Sequence, residues 1–209
     1  MQTYSGQLGI VLFCSDAVNS ISVACAKVYA PDSAIDLGSR HRPHITLYHS
    51  NLTDVPVDRA EQILDDVVRA LPVDIRLFSI ATFGGKFVFW DAVCTPELEK
   101  LHATALRLGE YFAPAGEQQA DKERIVLSPA EEENVRSYGH PLVRDLWRPH
   151  ITLGYYPTRL EHETAESCVL GGTVTGAGFV RVGEYGTIAE VLFEHRALPW
   201  WQKLWKKRG

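Results

Sequence analysis

Arg42-Pro43-His44-Ile45-Thr46-Leu47 recurs, residue for residue, as Arg148-Pro149-His150-Ile151-Thr152-Leu153, and no other six-residue string in the chain occurs twice. Successive side chains of a strand point to opposite faces, so each copy read as a strand sets His and Thr on one face and Ile and Leu on the other. Proline suits the first residue of a strand, where a missing N–H costs little. Each copy therefore offers an imidazole beside a hydroxyl, backed by an apolar face that anchors them in a core. Two such strands facing each other make a symmetric site with two imidazoles and two hydroxyls. A third His-x-Thr, His162-Glu163-Thr164, lies in a polar, helix-like stretch without apolar alternation and carries no such expectation.

Paired His-x-Thr strands resemble the 2H phosphoesterase superfamily, which includes the RNA 2',3'-cyclic phosphodiesterases also described as 2'-5' RNA ligase-like proteins. The resemblance covers the two motifs, their separation and the order of elements across most of the chain. It implies an α+β fold that is bilobal, with pseudo-two-fold duplicated lobes whose antiparallel sheets line a central cleft and whose helices lie outside. One motif comes from each lobe. In this family an aromatic side chain near the first hairpin flanks the nucleobase, a role open here to Phe87, Phe89 or Trp90, each of which equally reads as core.

The order of elements supports a duplication. Leu8 to Cys14 reads as a buried strand, and Ser15 caps a helix with Val18, Ile21, Cys25 and Val28 at helical spacing, stopped by Pro31. The first hexapeptide strand runs on to Tyr48. A helix near Pro56 to Ala70 follows, then strands near Val73 to Thr82 and Lys86 to Val93, joined through Gly84-Gly85 as a hairpin. In the second half Thr95-Pro96 starts a helix, and Ala113 to Val126 reads as a mobile loop. Ser128-Pro129-Ala130-Glu131 is a capping box that opens a short helix closed by Gly139. After the second hexapeptide, Thr158-x-x-Glu161 is expected to open another helix. Strands near Thr173 to Val182 and Thr187 to Arg196 then form a second hairpin. The resulting plan is one bilobal domain over residues 1–199, with pseudo-repeats at about 8–93 and 95–196.

Residues 200–209 form a separate tail rich in Trp and Lys. On a helix after Pro199, Trp201, Leu204 and Trp205 share a face, which reads either as packing on the body or as an anchor for anionic membrane or RNA. It is the one candidate membrane contact in a chain for which membrane association is otherwise not expected. The formal net charge of −5 argues against a surface that coats long nucleic acid, while leaving room for a small anion or one RNA end in a locally basic cleft. The four cysteines are widely spaced in apolar runs without Cys-x-x-Cys, so they read as buried reduced thiols. The first residues carry no basic n-region, and a cytoplasmic location is expected.

Hydrolysis of a cyclic phosphodiester needs a base to deprotonate water and an acid to protonate the departing ribose oxygen. Histidine serves either purpose near neutrality. His44 and His150 are accordingly the candidate acid and base, in an order that sequence symmetry leaves open. Thr46 and Thr152 are candidate donors to the non-bridging oxygens. Arg42 and Arg148 share strand parity with the histidines and are candidates for phosphate contact, or else solvated charges. Tyr48 would share a face with Thr46 and stack a base, while Gly154 at the matching place leaves room; packing is the alternative for both. His140 reads as a surface loop residue. No metal ligand set and no cofactor are expected. The expected partner is a nucleotide or RNA-end phosphodiester, turned over in RNA processing. The alternatives are a 2'-5' or cyclic-oligonucleotide phosphodiesterase and a non-catalytic RNA-end binding module.

Overall fold

A computed structural model describes residues 2–114, 127–158, 160 and 165–197. The first strand, β1 (Thr3–Cys14), is buried without a break from Leu8 onward and runs through the centre of the core. α1 (Asp16–Tyr29) follows with Ser15 at its N-cap. β2 (Ile45–Pro56) carries the first hexapeptide, and α2 (Val57–Arg69) buries Ala60, Ile63, Leu64 and Val67 on one face. The hairpin of β3 (Val73–Phe83) and β4 (Phe87–Ala92) turns at Gly84 and Gly85, whose φ values of 61° and 69° lie where glycine has no Cβ to clash.

α3 (Pro96–Ala105) starts where the Thr95 side chain accepts a hydrogen bond from the Leu98 N–H. α4 (Pro129–Tyr138) has both bonds of the Ser128/Glu131 capping box and ends on Gly139 at φ 70°. A Cβ at Gly139 would collide with Ser50 and Phe112, so the glycine also lets the end of α4 sit against β2. β5 (His150–Tyr155) carries the second hexapeptide, and β6 (Ala165–Val182) and β7 (Ile188–Arg196) form the last hairpin.

The fold is α+β. Among the described residues seven strands hydrogen-bond as one antiparallel sheet in the order β1-β2-β5-β4-β3-β6-β7, and β1 also pairs with β6. The first six strands of that order therefore close on themselves. β6 makes the closure possible: residues 165–174 pair with β3, and residues 174–181 pair with β1. The weak point of the ring is the seam between the two hexapeptide strands, where β2 and β5 share the single pair Ile45↔Ile151. β1 and β2, by contrast, pair through nine positions.

Two expectations need correction. The repeat of strand, helix and hairpin holds in the first half only, because residues from Ala165 onward, expected in a helix, belong to β6. Alternation of Cys168, Leu170, Gly172 and Val174 toward the core outweighs the capping signal at Thr158. Cys94 is exposed rather than buried, Cys25 and Cys168 are half-buried, and Cys14 alone is fully enclosed; all four are free thiols. Ala113 to Val126 lies almost wholly outside the described residues, as do His162 and the tail at 200–209. Among the described residues, no helix is long and apolar enough to cross a membrane.

Candidate active site

The pair Ile45↔Ile151 joins equivalent residues of the two hexapeptides, which is what a local two-fold axis through an antiparallel pair produces. In a ladder centred there His44 stands opposite Thr152, and Thr46 opposite His150. Both isoleucines are fully buried on the other face, so the four polar side chains are held by the core beneath them.

The two copies also share their anchoring. His44 Nδ1 lies 2.9 Å from the Arg42 carbonyl, and His150 Nδ1 lies 2.7 Å from the Arg148 carbonyl. A carbonyl only accepts, so each Nδ1 carries a proton and each ring presents Nε2 as its working atom. The arginine side chains are tethered alike. Arg42 pairs with both oxygens of Glu194 (2.8 and 3.2 Å) and lies 3.5 Å above the Phe13 ring. Arg148 pairs with both oxygens of the buried Asp91 (2.7 and 2.6 Å) and lies over Phe83. The guanidinium groups thus fix the start of each motif strand. Arg42 is outside the cleft wall, whereas Arg148 belongs to it.

The cleft beside the seam has a volume of about 310 Å³. Its wall includes the polar Thr46, His150 and Thr152 and the aromatic Phe83, Phe87, Phe89 and Tyr185. Phe89 stacks on His150 with ring centroids 3.7 Å apart. Trp90 is fully buried, its indole N–H donating to the Cys168 carbonyl, and has no place in the cleft. The lining residues include no carboxylate. His44 is not part of the wall: its Nε2 sits 3.2 Å from the Gly186 carbonyl, in the turn between β6 and β7.

Burial dominates the protonation of both rings. It pushes His150 down to about 4, against the opposing pull of the Arg148 carbonyl and with help from the charges of Arg148, His44 and His49. It also lowers His44, opposed by the carbonyls of Arg42 and Gly186.

A β-bulge accounts for what the sequence pattern misplaced. Tyr48 pairs with Ile10 and Thr46 with Val11, so Leu47 is an extra residue in β2. In β5 Gly154 pairs with Val88 and Thr152 with Phe89, so Leu153 is extra in the same way. Each hexapeptide thus ends on its bulge, and the alternation reverses beyond it. Tyr48 packs into the core at 1% exposure, with its hydroxyl donating to the Tyr138 carbonyl at 2.8 Å, and still borders the cleft beside Thr46. Gly154 faces Ala30 and Ser33 at the end of α1 rather than opening space for a ligand. His49 joins the cleft wall beyond the bulge.

There His49 meets His140, edge to face with centroids 4.6 Å apart. His140, expected on an exposed loop, lines the cleft too. The bulge also exposes main-chain oxygens that leave the ladder. His102, on α3, donates from Nδ1 to the Leu47 carbonyl at 2.7 Å and accepts the Arg144 N–H at Nε2. Trp147, stacked flat on His102, donates to the Thr46 carbonyl at 3.2 Å. Parity alone could not find these residues; a bulge is not written in a six-residue pattern.

A sequence profile of the 2'-5' RNA ligase superfamily matches residues 22–170, which span both hexapeptides and most of the cleft wall. The chain belongs to the 2'-5' RNA ligase superfamily, the 2H phosphoesterases. No curated protein matches it in sequence. Among solved structures it is similar to TT0787 of Thermus thermophilus, with a TM-score of 0.58, 17% identity, and 91% of this chain and 97% of that one covered. It is also similar to E. coli LigT in complex with 3'-AMP, with a TM-score of 0.52, 12% identity, and 93% and 99% covered. These likenesses establish the fold, and membership of this superfamily of 2H phosphoesterases points to an enzyme acting on phosphodiesters.

Proposed function

We propose that the protein is a metal-independent phosphodiesterase that hydrolyses a 2',3'-cyclic phosphate or a related RNA-end or nucleotide phosphodiester. The observation that carries this reading is the side-by-side placement of His44-x-Thr46 and His150-x-Thr152 about the Ile45↔Ile151 pair, at a cleft whose wall has no carboxylate. At about 310 Å³ the cleft is near the small end for ligand sites, which favours a nucleotide-sized group over a long strand. That LigT was solved with 3'-AMP, a phosphomononucleotide, agrees with a ligand of this kind.

The surroundings of the two rings differ, and the difference supports distinct tasks for them. His150 has Nδ1–H committed to a carbonyl and belongs to the cleft wall, so its Nε2 lone pair is the base that takes a proton from water. His44 has a carbonyl at each nitrogen, so the proton that Nε2 takes up in the competent state is held by the Gly186 carbonyl. Its Nε2–H is the acid. Water's oxygen bonds to phosphorus as His150 takes its proton. The bond from phosphorus to the ribose oxygen then breaks, and that oxygen takes the His44 proton in place of the Gly186 carbonyl. Thr46 and Thr152 donate to the non-bridging oxygens, where charge accumulates. One proton has passed from His44 to product and one from water to His150, so exchange with solvent resets the pair.

His44→Ala and His150→Ala should each lower turnover of a cyclic nucleotide by roughly 10²–10⁴-fold, the range for one positioned acid or base, with no loss of wild-type rate under exhaustive chelation. On a nitrophenyl ester, whose leaving group needs no proton, His44→Ala should recover most of the rate and His150→Ala should not. Folded single variants with wild-type rates on the cyclic nucleotide would overturn the reading.

A further inference from the structure

Besides His150, the cleft wall holds two more imidazoles, His49 and His140, that the proposed reaction does not use. The Nδ1 atom of His49 is buried without a hydrogen-bond partner. His140 Nδ1 accepts the Leu142 N–H at 3.1 Å, so the proton of that ring sits on Nε2, which makes Nε2 a donor. No carboxylate in the cleft wall is placed to satisfy either ring, and the one arginine there, Arg148, is already paired with Asp91.

This pair also breaks the two-fold likeness of the motifs. The residue of the second copy that corresponds to His49 is Tyr155. It stacks on Tyr185 with centroids 4.0 Å apart and packs against Phe87 at 4.7 Å. The cleft wall therefore offers both aromatic faces, suited to a nucleobase, and imidazole nitrogens outside the motifs. A ligand that carries a flat ring and an anion besides the scissile phosphate matches both. Burial lowers both rings, with the neighbouring His140 adding to this at His49 and His150 at His140, and a bound anion would oppose it at both.

We propose that His49 and His140 form a second anion subsite, and that the substrates of this protein are nucleotide phosphodiesters bearing a further phosphate group. The inference rests on the proposed phosphodiesterase reading and narrows its substrate class. In recognition of that second phosphate, His140 Nε2 and His49 Nε2, the nitrogens of the two rings that are not enclosed, each donate to one of its oxygens.

The test compares binding of adenosine 3'-monophosphate and adenosine 3',5'-bisphosphate by calorimetry, using wild type, His49→Gln and His140→Gln. Wild type should bind the bisphosphate about tenfold more tightly or better, and each substitution should close most of that gap. Histidine ring NMR of the wild type gives a readout that needs no variant: the His49 and His140 signals should move with the bisphosphate and stay nearly still with the monophosphate. Equal affinities in wild type, a gap that survives both substitutions, or unmoved ring signals would overturn the second subsite while leaving the phosphodiesterase reading intact. Failure of either nucleotide to bind would remove both together.

Discussion

His44 and His150 hold equivalent places in identical hexapeptides, yet one faces the Gly186 carbonyl and the other faces the cleft. Burial lowers both, His150 to about 4, so the free protein holds mainly neutral rings at pH 7. The competent state needs one proton on the pair, and its population falls as pH rises above the macroscopic pKa values of the coupled rings. The maximum of kcat/KM should therefore lie on the acid side of the ordinary histidine value of about 6.5, declining from there toward pH 8. A rate profile between pH 4.5 and 9 checks this; a maximum at alkaline pH, or no dependence at all, would count against the two-histidine mechanism. The candidates His44, Thr46, His150 and Thr152 could be named from sequence because an exact six-residue repeat rarely arises by chance. His49 and His140 could not, since neither lies in the repeat and single histidines carry no pattern.

At the scale of elements, the bulge at Leu47 sets which residues of β2 meet the cleft, and a helix residue holds the bulge in place. His102 bridges the Leu47 carbonyl and the Arg144 N–H from α3. Without it the buried Leu47 carbonyl loses its partner, at a cost of about 1–3 kcal/mol for an unsatisfied buried group, and the part-buried Arg144 N–H loses its own. His102→Ala should destabilise the protein by at least that much in urea unfolding, and it should lower kcat/KM through displacement of Thr46. A variant as stable as wild type would remove His102 from this supporting position. Helices and hairpins were readable ahead of the structure because caps and turn glycines mark them locally, as at Thr95, Ser128, Gly84 and Gly139. Register was not. Whether Tyr48 lies inside or outside depends on pairing with Ile10 across the sheet, a contact that no local signal encodes. The early start of β6 at Ala165 has the same origin, since its first residues pair with β3 and its last with β1.

For the molecule as a whole, several buried histidines make folding sensitive to acid. Burial pushes His49 down to about 3 and His140 and His150 to about 4, whereas in the unfolded chain each titrates near 6.5. The unfolded state then binds more protons throughout that window, so the contribution of these groups is complete above about pH 6.5 and is lost as pH falls toward 4. Thermal unfolding followed from pH 7.5 to 4.5 should show Tm dropping across this range. The His49→Gln/His140→Gln double variant should drop less. A Tm that stays level from pH 6.5 to 4.5 would mean that these rings are solvated in the folded protein.

The length of β6 bears on how such a molecule can be divided. Its first residues complete the sheet of the β3–β4 hairpin and its last ones complete that of β1, so a single segment is common property of both motif strands' neighbourhoods. A chain cut between the two hexapeptides would leave the N-terminal piece with β1 and β3 as raw edges, each missing the same partner. The repeat in the sequence marks two equivalent sites, and this one strand ties the surroundings of both into a single sheet.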